Sequence, residues 1–91
     1  IWDEIYAAPE VQGGATYLDG TVIDGTVTVF PNNEFHLMSL VTTGPVPCDS
    51  LSADRSNFIQ PYNRSWKGDI AEVIIYDSQL SDSDRGAVEA Y

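Results

Sequence analysis

Two Asp-Gly dipeptides, Asp19-Gly20 and Asp24-Gly25, sit inside a stretch of β-branched residues and constrain this chain more than anything else in it. Asp-Gly accepts the positive φ angles of a two-residue hairpin loop. The runs around the first, Thr16-Tyr17-Leu18 and Thr21-Val22-Ile23, have the composition and length to pair across it. A tight antiparallel hairpin over residues 16–23 is therefore expected. The second Asp-Gly reads as another turn, leading into a further β-run, Thr26-Val27-Thr28-Val29-Phe30, that Pro31-Asn32-Asn33 stops. The repeated Asp-Gly-Thr-Val is spaced far below the ~20–50 residue period of repeat architectures, so it marks two turns and not a solenoid.

The rest of the chain extends the β pattern. Ile1 to Glu10 is irregular, and Pro9 with Gly13-Gly14 forms a joint. Phe35 to Thr43 is nearly continuous apolar sequence bounded by turn residues, which predicts a central strand covered on both faces. Gly44-Pro45-Val46-Pro47 ends it. Cys48 to Lys67 is polar apart from Leu51, Phe58-Ile59 and Trp66, and loops of such length are usually functional. Asp69 to Tyr76 is apolar and β-branched, with Glu72 its only internal charge, and predicts a second central strand. Ser81, followed three residues on by Asp84, has the arrangement of a capping box and starts a short C-terminal helix. Strands followed by one helix give an all-β reading with a helical appendage.

Composition narrows the function classes. With 91 residues the chain is one domain or part of one, and 43% hydrophobic residues argue against disorder. Fourteen acidic residues against four basic ones give a net charge of -10, which repels phosphate backbones and anionic lipid, so no nucleic-acid partner is expected. No apolar run approaches the ~20 residues that cross a bilayer, and membrane insertion is not expected either. Cys48 is the only cysteine and cannot form a disulfide within the chain. An opening at Ile1 without methionine, and a close at Ala90-Tyr91 inside a growing helix, suggest a domain over 1–91 truncated at both ends.

Trp66-Lys67-Gly68-Asp69-Ile70-Ala71-Glu72-Val73-Ile74-Ile75-Tyr76-Asp77, followed by Leu80-Ser81 and an acidic helix start, resembles the closing signature of laminin-G-like, concanavalin A-like domains. In that family an aromatic-x-Gly leads into a strand ending Glu-Val-x-Ile-Tyr, and Leu-Ser opens a closing helix. Tyr17-Leu18-Asp19-Gly20-Thr21-Val22 looks like the family's Tyr-x-(Asn/Asp)-Gly hairpin. The resemblance implies an antiparallel jelly-roll sandwich, present here as its C-terminal half with a short C-terminal helix. It also implies an extracellular or cell-surface setting, in bacteria, and a role in binding glycans or proteins or as a spacer.

Each candidate for chemistry has a structural competitor. Glucanases of this superfamily aim paired carboxylates from one face, whereas Asp69 and Glu72 fall on opposite faces of a period-2 strand. Glu72 reads instead as a structural carboxylate bonded to the closing helix or a loop amide. His36 has no acid at alternate positions and there is no Gly-x-Ser-x-Gly elbow, so it reads as a buried or edge histidine. Cys48 has no cation nearby in sequence to activate it. No catalysis is expected. Calcium is the one cofactor the chain has oxygen donors for, with Asp49 and Asp54 as the loop acids left without a turn or helix role. Sugar binding takes an aromatic platform with amides and carboxylates around it, and the long loop supplies Asp54, Arg55, Asn57, Tyr62, Asn63 and Trp66.

The expectation is a non-catalytic extracellular binding module recognising a glycan or an extracellular protein through its loops. The alternative is a structural subunit or spacer of a bacterial surface assembly or filament. In either case the remaining half of the domain, or neighbouring chains, would cover the open strand edges.

Overall fold

The computed structural model describes residues 1–47 and 68–91. A short helix α1 (Pro9–Gln12) leads into strand β1 (Ala15–Leu18), strand β2 (Thr21–Ile23) and strand β3 (Met38–Val41), and helix α2 (Asp82–Glu89) closes the chain. The strands form one antiparallel sheet in the order β2-β1-β3.

The hairpin forms where turn chemistry calls for it. Asp19 and Gly20 take φ angles of 49° and 76°, and the register behind them pairs Leu18 with Thr21, Tyr17 with Val22 and Thr16 with Ile23. Both loop residues sit on the positive-φ side that a type I′ connection needs, which is why the two strands leave the turn with matched twist.

The second Asp-Gly does something else. The Asp24 carboxylate accepts from the Thr26 amide at 2.9 Å and the Thr26 hydroxyl at 2.6 Å, and the Asp24 carbonyl accepts from the Thr28 amide at 3.0 Å. These local bonds hold the amides a ladder would need. The expected β-run over Thr26–Phe30 is therefore absent, and Val27 and Val29 stand 74% and 82% exposed.

The apolar stretch from Phe35 to Thr43 is corrected in the same way. Only Met38–Val41 joins the sheet, and it lies at an edge with β1 in the centre. Leu37, just ahead of it, is tied to the hairpin tip: its amide donates to the Asp19 carboxylate at 3.0 Å and its carbonyl accepts from the Asp19 amide at 2.8 Å. Since β1 ends at a turn residue, no further pairing partner is available upstream of Met38 among the described residues. Coverage on both faces also fails, because Met38 and Leu40 remain about half exposed.

Asp69–Tyr76 forms no ladder among the described residues. β-branched sequence reports a fit to neighbouring strands rather than an intrinsic backbone preference, and no described strand pairs with this segment.

Strand alternation gives the sheet two faces. On one, Thr16 is buried and its hydroxyl accepts from the Trp2 indole N–H at 3.0 Å, so the N-terminal segment covers this face. The cross-strand pair Tyr17 and Ser39 points to the other, where α2 lies. Among the described residues no apolar side chain is buried. Gly14 fixes α1 against the end of β3: a Cβ there would meet the Val41 carbonyl, and the Thr43 amide donates to the Glu10 carbonyl at 3.0 Å.

Helix α2 begins as its sequence predicts. Ser81 is the N-cap, its hydroxyl accepting from the Asp84 amide at 3.1 Å and donating to the Asp84 carboxylate at 2.7 Å. The acids at Asp82 and Asp84 complement the positive end of the helix.

Candidate functional site

Asp49, Asp54, Arg55, Asn57, Tyr62, Asn63 and Trp66, which carry the glycan and calcium expectations, lie outside the described residues. The described residues bring together three other groups of polar side chains.

The first is at the hairpin tip. The imidazole Nδ1 of His36 lies 2.7 Å from a carboxylate oxygen of Asp19, and the Phe30 ring meets the imidazole edge-on at 5.8 Å between centroids. His36 is thus an oriented histidine with a carboxylate partner. Sequence reasoning looked for that partner at alternate positions of the same strand, whereas it arrives from a turn seventeen residues earlier. The Leu37 amide and then His36 hold the Asp19 carboxyl below the usual carboxylate range. A nucleophilic triad needs a hydroxyl or thiol on the far side of the imidazole. Among the described residues none is hydrogen-bonded to His36; the Asp19 contacts with His36 and Leu37 fasten the hairpin to the approach to β3.

The second group joins α2 to the sheet. Glu89 accepts from the Ser39 hydroxyl and from the Arg85 guanidinium, both at 2.7 Å, while Arg85 stacks 3.6 Å over the Tyr17 ring centroid and lies 3.8 Å from Asp82. Ser39 first and Arg85 second draw the Glu89 carboxyl below its ordinary range, and the same Glu89 bond raises Arg85. Sequence reasoning missed this network. Arg85 and Glu89 stand at helical i, i+4 spacing, which was the available signal. Nothing in the sequence pointed to Ser39 or Tyr17 as the receiving surface.

The third is a groove of about 480 Å³ beside the buried face, lined by Trp2, Glu4, Gln12, Thr16, Asp24 and Gly25. Its size falls in the range of small-molecule sites. Its polar groups are largely committed to the fold. The Gln12 amide donates to the carbonyls of Glu4 and Ala7, the Asp24 carboxylate holds Thr26, and the Trp2 indole N–H is on Thr16. Gly25 presses on the indole so closely that a Cβ would overlap it.

Glu72 departs from its expected role: it is exposed, with no hydrogen bond to α2 or to a loop amide among the described residues. Among those residues no cluster of three or more His, Cys, Asp or Glu side chains could hold a metal ion, and no helix is long and apolar enough to cross a membrane. No protein-family model, curated protein or solved structure matches this chain.

Proposed function

We propose that the chain is a non-catalytic binding module of the lectin-like, laminin-G-like type, part of a jelly-roll sandwich that recognises a glycan or an extracellular protein. One observation carries this reading. The two segments that resemble the family's hairpin and closing helix are far apart in sequence, yet they meet: Arg85 of the helix stacks on Tyr17 of the hairpin, and Glu89 bonds Ser39 beside it. A sheet backed by a terminal helix leaves the connecting loops to carry recognition. The loop acids, amides and aromatics from Asp49 to Trp66 are the proposed contacts, with calcium a proposed ligand of Asp49 and Asp54.

The test is a glycan array probed with the purified protein, in calcium and in chelator, alongside a Tyr62→Ala, Asn63→Ala variant. Saturable binding to one glycan class, lost in the variant, supports the module. Silence across the array in both conditions overturns glycan recognition.

A second reading, a structural subunit of a surface assembly, is favoured by a different observation. Ile70, Val73, Ile74, Ile75 and Tyr76 stand between 46% and 72% exposed in one short segment. Contiguous exposed apolar side chains of this kind mark surfaces that other protein covers. Native mass measurement separates the two: a subunit copurifies with neighbouring chains, and a free-standing module does not.

A further inference from the structure

We propose that Asp24-Gly25 is a self-modification site, at which the Gly25 amide nitrogen closes on the Asp24 carboxyl to give a succinimide that water reopens as isoaspartate. Asp19-Gly20, the same dipeptide, is spared by the fold. This chemistry is separate from the binding-module reading, because it uses neither the loop from Asp49 to Trp66 nor a partner.

The two sites are matched in sequence. Each reads Asp-Gly-Thr-Val, at 19–22 and 24–27, and the glycine leaves no Cβ to hinder ring closure. Neither glycine amide donates to an acceptor among the described residues, so both nitrogens are open. The carboxylates differ. At Asp19 both oxygens are held across the fold, Oδ1 by the Leu37 amide at 3.0 Å and Oδ2 by His36 Nδ1 at 2.7 Å. Turning that carboxyl onto the Gly20 nitrogen gives up both contacts. At Asp24 a single oxygen, Oδ1, takes the Thr26 amide at 2.9 Å and the Thr26 hydroxyl at 2.6 Å, and Oδ2 has no partner among the described residues. A carboxyl bonded to the amide two residues on is folded over the amide between them, here the Gly25 nitrogen.

The reaction needs water and nothing else. The Gly25 nitrogen bonds to Cγ of the protonated Asp24 carboxyl, and the bond from Cγ to Oδ2 breaks. Oδ2 leaves as water, carrying its own proton and that of the Gly25 amide. Negative charge gathering on Oδ1 meets the two Thr26 donors already on it. Asp24, Gly25 and Thr26 line the groove of about 480 Å³, which gives water a way out and back. Addition of water at the former Asp24 backbone carbonyl opens the ring, and the chain then runs through the side-chain carbon, one methylene longer. The change falls on Gly25, whose carbonyl accepts from the Trp2 amide at 3.0 Å and whose Cα lies against the indole.

The experiment incubates the purified chain in mildly acidic buffer, where more of the carboxyl carries the proton that leaving water needs, with a parallel sample in denaturant. Peptide mapping reads isoaspartate at each site, together with a succinimide intermediate lighter by one water. In denaturant the matched motifs should react at the same rate. In the folded chain Asp24 should keep that rate while Asp19 falls about 10-fold or more behind, the factor for surrendering a charge-assisted hydrogen bond. Thr26→Val keeps the amide but removes the hydroxyl, and should slow Asp24 by about 3- to 10-fold. His36→Ala should speed Asp19. Unchanged amide protection in the β1–β2 hairpin verifies that both variants remain folded, and modified wild-type chains should exchange the Trp2 amide faster than unmodified ones. Equal isoaspartate at the two sites of the folded chain overturns the proposal, as does a fold that slows both alike or a Thr26→Val variant that reacts as fast as wild type.

Discussion

The hairpin at Ala15–Ile23 and the segment at Asp69–Tyr76 are both written in β-forming residues, and only one of them forms strands. What separates them is how local the instruction is. Asp19-Gly20 sets the turn within two residues, and its φ angles bring the flanking runs into register without help from elsewhere. Asp69–Tyr76 has no turn of its own that returns it onto a partner, so its strand character depends on a neighbour. Long-range pairing must repay loop closure, and a lone β-rich segment cannot do that by itself.

Removing the space on which the sheet is anchored should have the largest effect. Gly14→Ala drives a Cβ into the Val41 carbonyl and crowds the Glu10 carbonyl, both backbone groups with little freedom to yield. The expected cost is at the upper end of the ~1–3 kcal/mol typical of overpacking, read as a fall in the urea midpoint and faster exchange at β3 amides. Ala71→Gly, in the unpaired segment, should leave both readouts unchanged. A comparable loss from Ala71→Gly would mean that the segment is part of the cooperative structure.

Gly20→Val tests the turn directly. At φ 76° a β-branched residue is strained, and about 1–2 kcal/mol of hairpin stability should be lost, visible as faster exchange at the Thr16 and Ile23 amides, which face each other across the hairpin. Asp19→Gly relieves the backbone but removes the carboxylate that holds Leu37 and His36, so it should loosen the approach to β3 while sparing the turn.

The sequence was legible where structure is local. Asp19-Gly20 and the Ser81 cap with Asp84 are found as read, because each is decided by residues within one turn of itself. Readings that needed a neighbour went astray. Phe35–Thr43 was expected in the centre of a sheet and supplies a four-residue edge strand, since hydrophobicity alone does not say how many partners a strand has. Asp24-Gly25 makes the turn expected of it, but Thr26 two residues on captures the Asp24 side chain, and the β-run expected over Thr26–Phe30 does not form. Of the site, the helix contribution of Arg85 and Glu89 was open to a spacing argument, whereas the Asp19–His36 pair depends on a tertiary contact that no pattern within either element encodes.

A smaller effect is expected at the junction of helix and sheet. Ser81→Ala removes the acceptor of the Asp84 amide and should cost about 1 kcal/mol, seen in the exchange of the first-turn amides of α2. If α2 melts while the hairpin amides hold, helix and hairpin are separable units. If both loosen together, the Arg85–Tyr17 and Glu89–Ser39 contacts couple them.

Acid provides the mildest probe and separates the two regions without mutation. Asp19 and Glu89 both have carboxyl groups drawn below the ordinary range, by the Leu37 amide and the Ser39 hydroxyl first and by His36 and Arg85 second. A folded-state pKa below the unfolded one means these groups stabilise the fold above the unfolded value, near 4, and that the contribution disappears as pH falls through the depressed folded value. Hairpin and α2 amides should therefore begin to exchange faster, after correction for intrinsic rates, as pH drops below ~4. Amides of residues 70–76, which make no backbone hydrogen bond among the described residues, should follow the intrinsic rate throughout. Asp19→Asn should shrink the acid response at the hairpin and leave that at α2 in place, because the two carboxylates serve different contacts. An acid response at residues 70–76 equal to that of the hairpin would place the two regions in one cooperative unit and remove the distinction between them.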